Sequence, residues 1–401
     1  MIRRPPRSTQ GVSSAASDVY KRQGNKFANF QRWFTNATDK LMPHTIAEKI
    51  IAQAANRDTV SPGEIITCVV DLAMIHDSGG PRRVKPILDK LKVGVWDASK
   101  IVLISDHYAP CVDAESAAIL KLTREWAEEH EIKNFYDQQG ICHVVTPERG
   151  HLRPGMFAVG GDSHSPTGGA FGAFMFGIGA TDMAGVLATG ETWIKVPHTI
   201  LINWRGKLGI GVAAKDMALR MCAVLGMDGG DYQVIQYTGE IITNLDMMER
   251  MTLCNMAAEL GAQTGIVEPD EVAASYLAEV GAVHTDWQSY KSDTDAEYLA
   301  VHEFNADTLV PQVAAPHSPS NASDICDADK VEIDQFYIGA CTGAKLSDLK
   351  MVASVLDGNK VAPGKRLVVA PASSHVMAAV SYTHLRAHET DSYLVCRLLL
   401  E

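Results

Sequence analysis

"MFAVGGDSHSPTGGAFG", residues 156–172, runs from an apolar stretch straight into an acid, a hydroxyl and an imidazole held between glycine pairs. The first half reads as a buried strand, because a short continuous apolar run suits a strand covered on both faces. The second half reads as a tight polar turn. The same pattern occurs twice more. "KIVLISDH" (100–107) ends in Asp106 and His107, and "QFYIGACTG" (335–343) ends in Cys341 and Thr342. Helical patterns lie between them, including "CVDAESAAILKLTREWAEEH" (111–130) and "ATDMAGVLATGETW" (180–193). Buried strands alternating with helices specify the α/β class. In open α/β sheets ligands gather outside the carboxyl ends of the strands. Three reactive clusters at three strand ends therefore predict one site assembled from distant segments.

Other segments add candidates. "GICHVVTP" (140–147) reads as a further strand and carries His143. "MTLCNMAAELGAQTG" (251–265) reads as a helix stopped by glycine, with Asn255 and Glu259 four apart and so on one face. Prolines with serine, asparagine and alanine at 310–330 predict a linker.

At 401 residues the chain is long enough for two or three domains. Apolar residues at 46% and charged residues at 21% suit a soluble globular protein. A formal charge of −12 argues against a nucleic-acid surface. The most apolar run, "AFGAFMFGIGA", is too short to cross a bilayer, so no membrane association is expected. Eight cysteines without a CxxC pair predict a reducing, cytoplasmic setting. The two ends, 1–23 and 381–401, look like translated sequencing-adapter read-through and are set aside as non-native. The expected domains are 24–200, 201–330 with its linker, and the start of a third at 331–380.

Two readings of the Asp162-Ser163-His164 triplet can be weighed on the residues alone. A nucleophile elbow has the order G-x-S-x-G, which "GGDSHSPTGG" lacks. Neighbours in an extended segment also point to opposite faces, so Ser163 is poorly placed to use His164 as its base. A zinc site has enough donors in Asp106, His107, His143, Asp162 and His164, yet the spacing matches no short zinc signature such as H-E-x-x-H.

Taken together, "SDH" (105–107), "GICHVVTPERG" (140–150), "GDSHSPTGGAFGAFMFGIGATD" (161–182), "CNMAAELGAQTGIVEPDE" (254–271) and "YIGACTGAKLSDL" (337–349) resemble the aconitase family in order and approximate spacing. The likeness spans about 40–380. It is nearest to the iron-sulfur large subunits that include 3-isopropylmalate dehydratase, homoaconitase and 2,3-dimethylmalate dehydratase. It implies aconitase-like three-layer α/β/α domains, the third truncated. It also implies a hydro-lyase acting on a hydroxy di- or tricarboxylic acid, with leucine biosynthesis as the expected pathway.

The resemblance further implies a [4Fe-4S] cluster with Cys341 as first ligand. It casts Asp106 and His107 as the pair that protonates the departing hydroxyl. His143, Asp162, Ser163 and His164 would hydrogen-bond the reacting water, and Asn255 and Glu259 would lie against the cluster. His76, in "LAMIHDSGG" (72–80), would contact a substrate carboxylate. A small swivel-domain subunit is the implied partner. The family's two further cluster cysteines come as a CxxC about sixty residues after Cys341, where this chain has only Cys396. The expectation is that this stretch alone is inactive. "CTGAK" stands where the family more often has "CTN" and a basic residue. A non-catalytic aconitase-like binding protein is the reading of another class.

Overall fold

The computed structural model describes residues 43–282 and 286–383. The chain divides into Met1–Pro43 and His44–Glu401, and the strands and helices named here belong to the second unit. The expected non-native end at 1–23 lies outside the described residues. So does the other end from 384 onward, with Cys396.

Strands β1 (Ile65–Val69), β2 (Leu72–His76), β3 (Ile101–Ser105), β4 (Phe135–Asp137), β5 (Phe157–Gly160), β6 (Phe174–Gly177) and β7 (Glu191–Lys195) come first. β1 and β7 form an antiparallel ribbon, Ile65 facing Lys195. The others make one parallel sheet in the order β4-β3-β2-β5-β6. Its central strands β2, β3 and β5 are buried along their whole length and are mostly apolar because both faces are covered. Ala73, Ile75, Ile101, Leu103, Phe157 and Val159 face one core, shared with the helices Ile46–Ala54, Pro81–Leu91, Ala114–Glu129 and Ala180–Thr189. Met74, Val102, Ile104, Ala158 and Met175 alternate onto the other core. Local signals set the helix ends: Asp113 accepts from the Ser116 amide at the start of Ala114–Glu129.

The chain leaves β2 towards β3 and β4, then returns to β5 and β6. The sheet's order therefore reverses between β2 and β5. That crevice is the switch point at which open α/β sheets bind ligands.

A second parallel sheet, in the order β10-β9-β8-β11, comprises β8 (Thr199–Arg205), β9 (Val234–Thr238), β10 (Thr264–Val267) and β11 (Ala300–Asn305). Ile202, Trp204, Ile235 and Tyr237 join the same core as Met74 and Ile104, so the two sheets are cemented by one apolar mass. The turn after β5, a 3-10 segment Ser165–Phe171, packs between them against β10 and the helix Met247–Met256. A Cβ on Gly169 would collide with the Gly265 carbonyl, so only glycine permits this approach. Gly172 ends the segment at φ 71°, in the left-handed region.

Beyond these, β12 (Gln312–Ala314) and β13 (Ala322–Asp324) pair antiparallel, and β14 (Gln335–Ile338) and β15 (Arg366–Val369) pair parallel around the helix Leu346–Leu356. Residues 310–330, expected as a linker, thus hold a hairpin, and the Gln312 amide bonds Asp216 of the helix Ala214–Leu225. The segment expected as a strand around His143 is instead the helix Cys142–Glu148. An apolar run of that length suits either element. The layered α/β class is as the sequence implied, and among the described residues no helix is long and apolar enough to cross a membrane.

Arg250, fully buried, ties the helix Met247–Met256 to the next one. Both terminal nitrogens reach Asp270 at 2.7 Å, and it also donates to the carbonyls of Thr243 and Leu245. Arg250→Met strands Asp270 and two carbonyls, so urea unfolding of this variant is expected to show a loss of about 3 kcal/mol. A loss under about 1 kcal/mol contradicts that role.

Candidate functional site

Strand ends deliver the site. β2 ends at His76 and leads to Asp77; β3 leads to Asp106 and His107; β5 leads to Asp162, Ser163 and His164; β14 leads to Cys341. The first turn of Cys142–Glu148 carries His143. The helix Met247–Met256 carries Asn255, and the 3-10 turn after it carries Glu259. The ten residues singled out in the sequence converge.

Asp162 is the hub. Its Oδ1 accepts from His143 Nε2 at 2.7 Å and from the His164 amide at 2.8 Å, and its Oδ2 lies 3.6 Å from His107 Nε2. His107 Nδ1 donates to Asp106 Oδ1 at 2.7 Å, and Asp106 Oδ2 accepts the Cys142 amide at 2.7 Å. On the far side His164 Nε2 meets Glu259 Oε1 at 3.1 Å. Asn255 donates to Thr167 Oγ1 at 2.8 Å, and the Cys341 thiol donates to Asn255 Oδ1 at 3.6 Å. Among the described residues Ser163 Oγ reaches only the neighbouring His164 Nδ1, at 3.5 Å, too long for a nucleophile–base pair.

These contacts set the charges. The hydrogen bond to Asp106, and then the Asp162 carboxylate nearby, push His107 up to about 10 against the opposing effect of burial. Burial works against ionised Asp162, but the nearby His107 imidazolium and hydrogen bonds from His143 and His164 outweigh it and hold the carboxyl far below the usual range. Asp106 is also held low, its burial outweighed by the hydrogen bond and charge of His107. His164 is raised by Asp162, against burial and with help from Glu259. His76 is lowered by burial and by His107. The result is a cationic imidazole, His107, anchored between ionised carboxylates.

His76 differs from its expected use. It is 3% exposed, its Nε2–H donates to the Gly161 carbonyl at 2.9 Å, and its Nδ1 accepts the Gly79 amide at 3.3 Å. Both ring nitrogens are committed to backbone, so it has no nitrogen left for a substrate carboxylate. Its ring stacks on His107 instead, at 4.0 Å and 14°.

Two groups went unread in the sequence. Asp77 sits one residue past His76, and the strand-end rule that found the others points to it equally. Lys215, donating to Thr342 Oγ1 at 2.9 Å, has its charge disfavoured by burial. Nothing in "GVAAKDMAL" (211–219) marks it, since a helix start there reads as solvated.

The imidazoles and carboxylates could surround an ion: His76, Asp77, Asp106 and His107 form one such group, and His143, Asp162 and His164 another. They face one another in pairs at proton-sharing distance, however, which is the geometry of acid–base groups. The donor set also bears on a cluster. Cys341 is half-buried beside Asn255, whereas Cys142, Cys222 and Cys254 are buried. The described residues thus offer one fitting thiol and do not complete a three-cysteine set. A separate cavity of about 530 Å³, lined by Asp71, Lys100, His151 and Arg153 among others, opens near the amino ends of β2, β3 and β5 and shares no residue with this network.

The chain belongs to the aconitase family: the family model for aconitate hydratase matches residues 48–330 and 325–388. Among its relatives, 3-isopropylmalate dehydratase large subunit 1 of Methanopyrus kandleri is 44% identical over 336 residues, covering 84% of this chain and 80% of its own. A probable methanogen homoaconitase large subunit of Methanothermobacter thermautotrophicus is 42% identical over 337 residues, covering 82% and 78%. The solved structure of Thermococcus kodakaraensis aconitase X aligns over 79% of this chain and 74% of its own at a TM-score of 0.45 and 13% identity.

Proposed function

We propose that the chain is the large subunit of a hydro-lyase that removes water from a hydroxy dicarboxylic acid and returns it, most like 3-isopropylmalate dehydratase. The observation that carries this reading is the imidazolium of His107, held on Nδ1 by Asp106 with Nε2 left facing the crevice.

Dehydration is difficult because hydroxide leaves poorly and the departing proton lies beside a carboxylate. His107 answers the first difficulty. Its Nε2–H, 3.6 Å from Asp162, is too far for a good hydrogen bond there and is free to protonate a substrate hydroxyl. Asp106 stays ionised and steadies the imidazolium; it does not take the proton. Asp162, His143, His164 and Glu259 form a connected row whose acceptors and donors orient the released water, and the same row serves the return step. Ser163, at the exposed rim, would contact that water. Cys341 and the adjoining Asn255 suit one anchoring position of a [4Fe-4S] cluster, which when bound supplies a Lewis-acidic iron. The base for the carbon-bound proton is assigned to a small partner subunit.

A second reading, homoaconitase, has support in the 42% relative. The test combines the chain with a small subunit after anaerobic iron–sulfur reconstitution and follows the absorbance of the unsaturated acid. Formation from 3-isopropylmalate and not from homocitrate is expected. Turnover of homocitrate alone favours the second reading, and turnover of neither contradicts the hydro-lyase assignment.

A further inference from the structure

We propose that Asp77 is a positioning residue for His107: its carboxylate holds the backbone that carries the imidazole and thereby aims Nε2 into the crevice. The proposal rests on the reading of His107 as the acid.

Asp77 directly follows β2 and is fully buried. Its Oδ1 accepts the His107 amide at 3.1 Å and its Oδ2 the Tyr108 amide at 2.9 Å, while its own amide donates to the Ile104 carbonyl at 3.1 Å. The ends of two neighbouring strands are thus locked by one side chain. A buried carboxylate is unfavourable unless paired. Among the described residues no lysine or arginine nitrogen lies within 4.0 Å of Asp77, whereas His107 Nδ1 lies 3.9 Å from its Oδ1. Among those residues, the only counter-charge that close is the acid itself.

An asparagine would fill the same space but could accept only one of the two amides; its NH₂ would face the other donor. Two converging N–H groups select a carboxylate. His76 completes the clamp from the ring's face, its own tilt fixed by Gly161 and Gly79. The groups facing the imidazole are therefore Asp77 and His76 from the end of β2, Asp106 from its own loop, and Asp162 from the loop after β5. His143 and His164 stand behind Asp162. With backbone, face and Nδ1 all held, Nε2 is the free edge.

The test is Asp77→Asn in the full chain with its small subunit, reconstituted anaerobically. Turnover is expected to fall about 100-fold with KM within about twofold, and the alkaline limb of the pH profile to move down by about one unit. The ¹⁵N resonances of His107 should titrate correspondingly lower. A pH profile and His107 titration that superimpose on wild type, with rate lost only in proportion to folded protein, overturn the proposal; unchanged turnover does so too. Should the asparagine variant fail to fold, Asp77→Ser keeps one oxygen acceptor, removes the charge and carries the same expectations. A wild type without dehydratase activity sinks the reading of the site, while the His107 titration still decides for or against Asp77.

Discussion

His107→Asn is expected to cut turnover of the reconstituted enzyme about a thousandfold while the far-ultraviolet circular dichroism and KM stay near wild type. The ring is a cationic acid with a free edge: Nδ1 is held at 2.7 Å by Asp106, and Nε2 faces the crevice between Asp162 and solvent. Asparagine retains a donor towards Asp106 but has no proton to give to a leaving hydroxyl. Because the ring is half-exposed and its stacking partner His76 is held independently by backbone groups, the fold should survive. A loss below tenfold would mean that the hydroxyl receives its proton elsewhere.

Asp162→Asn should do more damage, because one carboxylate serves three histidines. His143 Nε2 and the His164 amide lose a charged acceptor, and His107 loses its second anionic neighbour. Turnover should fall at least about a hundredfold, and urea unfolding should show a loss of about 2 kcal/mol, the scale of hydrogen bonds to a charged group. The pH profile gives a sign as well. His107 lies above its ordinary value because carboxylates hold its proton, so removing one moves the alkaline limb to lower pH. Stability obeys the same linkage. The folded value of His107 is raised, so its contribution is complete below about pH 6.5 and is lost as pH rises through about 10. Asp162 is depressed, so its contribution is present above about pH 3.9 and is lost only in stronger acid. A variant with wild-type stability and an unmoved alkaline limb would show that Asp162 is not the hub.

Much of this arrangement was legible because strands buried on both faces leave little choice. "IVLIS" and "FAVG" are almost wholly apolar and buried at every position, so the polar residues next in the chain must sit at an exposed carboxyl edge, and Asp106, His107 and the Asp162–His164 turn do. The features that stayed hidden have physical causes too. The apolar run at His143 fits strand and helix equally, and tertiary packing chose the helix. That Asp162 joins residues 143 and 164 depends on how a glycine-rich turn folds back, which no periodicity reports. His76 was expected at the substrate, yet its nitrogens are consumed by Gly161 and Gly79; the first contact arises only when the fold brings the loops after β2 and β5 together, and the second depends on how its own loop turns. Lys215 is illegible for a simpler reason: a charged residue in a first helical turn ordinarily faces water, and only the fold brings Thr342 against it.

The protonation state of His107 tests the central claim most directly. In ¹⁵N-histidine spectra of the wild-type chain, both ring nitrogens of His107 should remain protonated from neutral pH until about pH 10. A midpoint near the ordinary value of about 6.5 would leave a neutral ring at neutral pH and contradict its role as the acid that releases water.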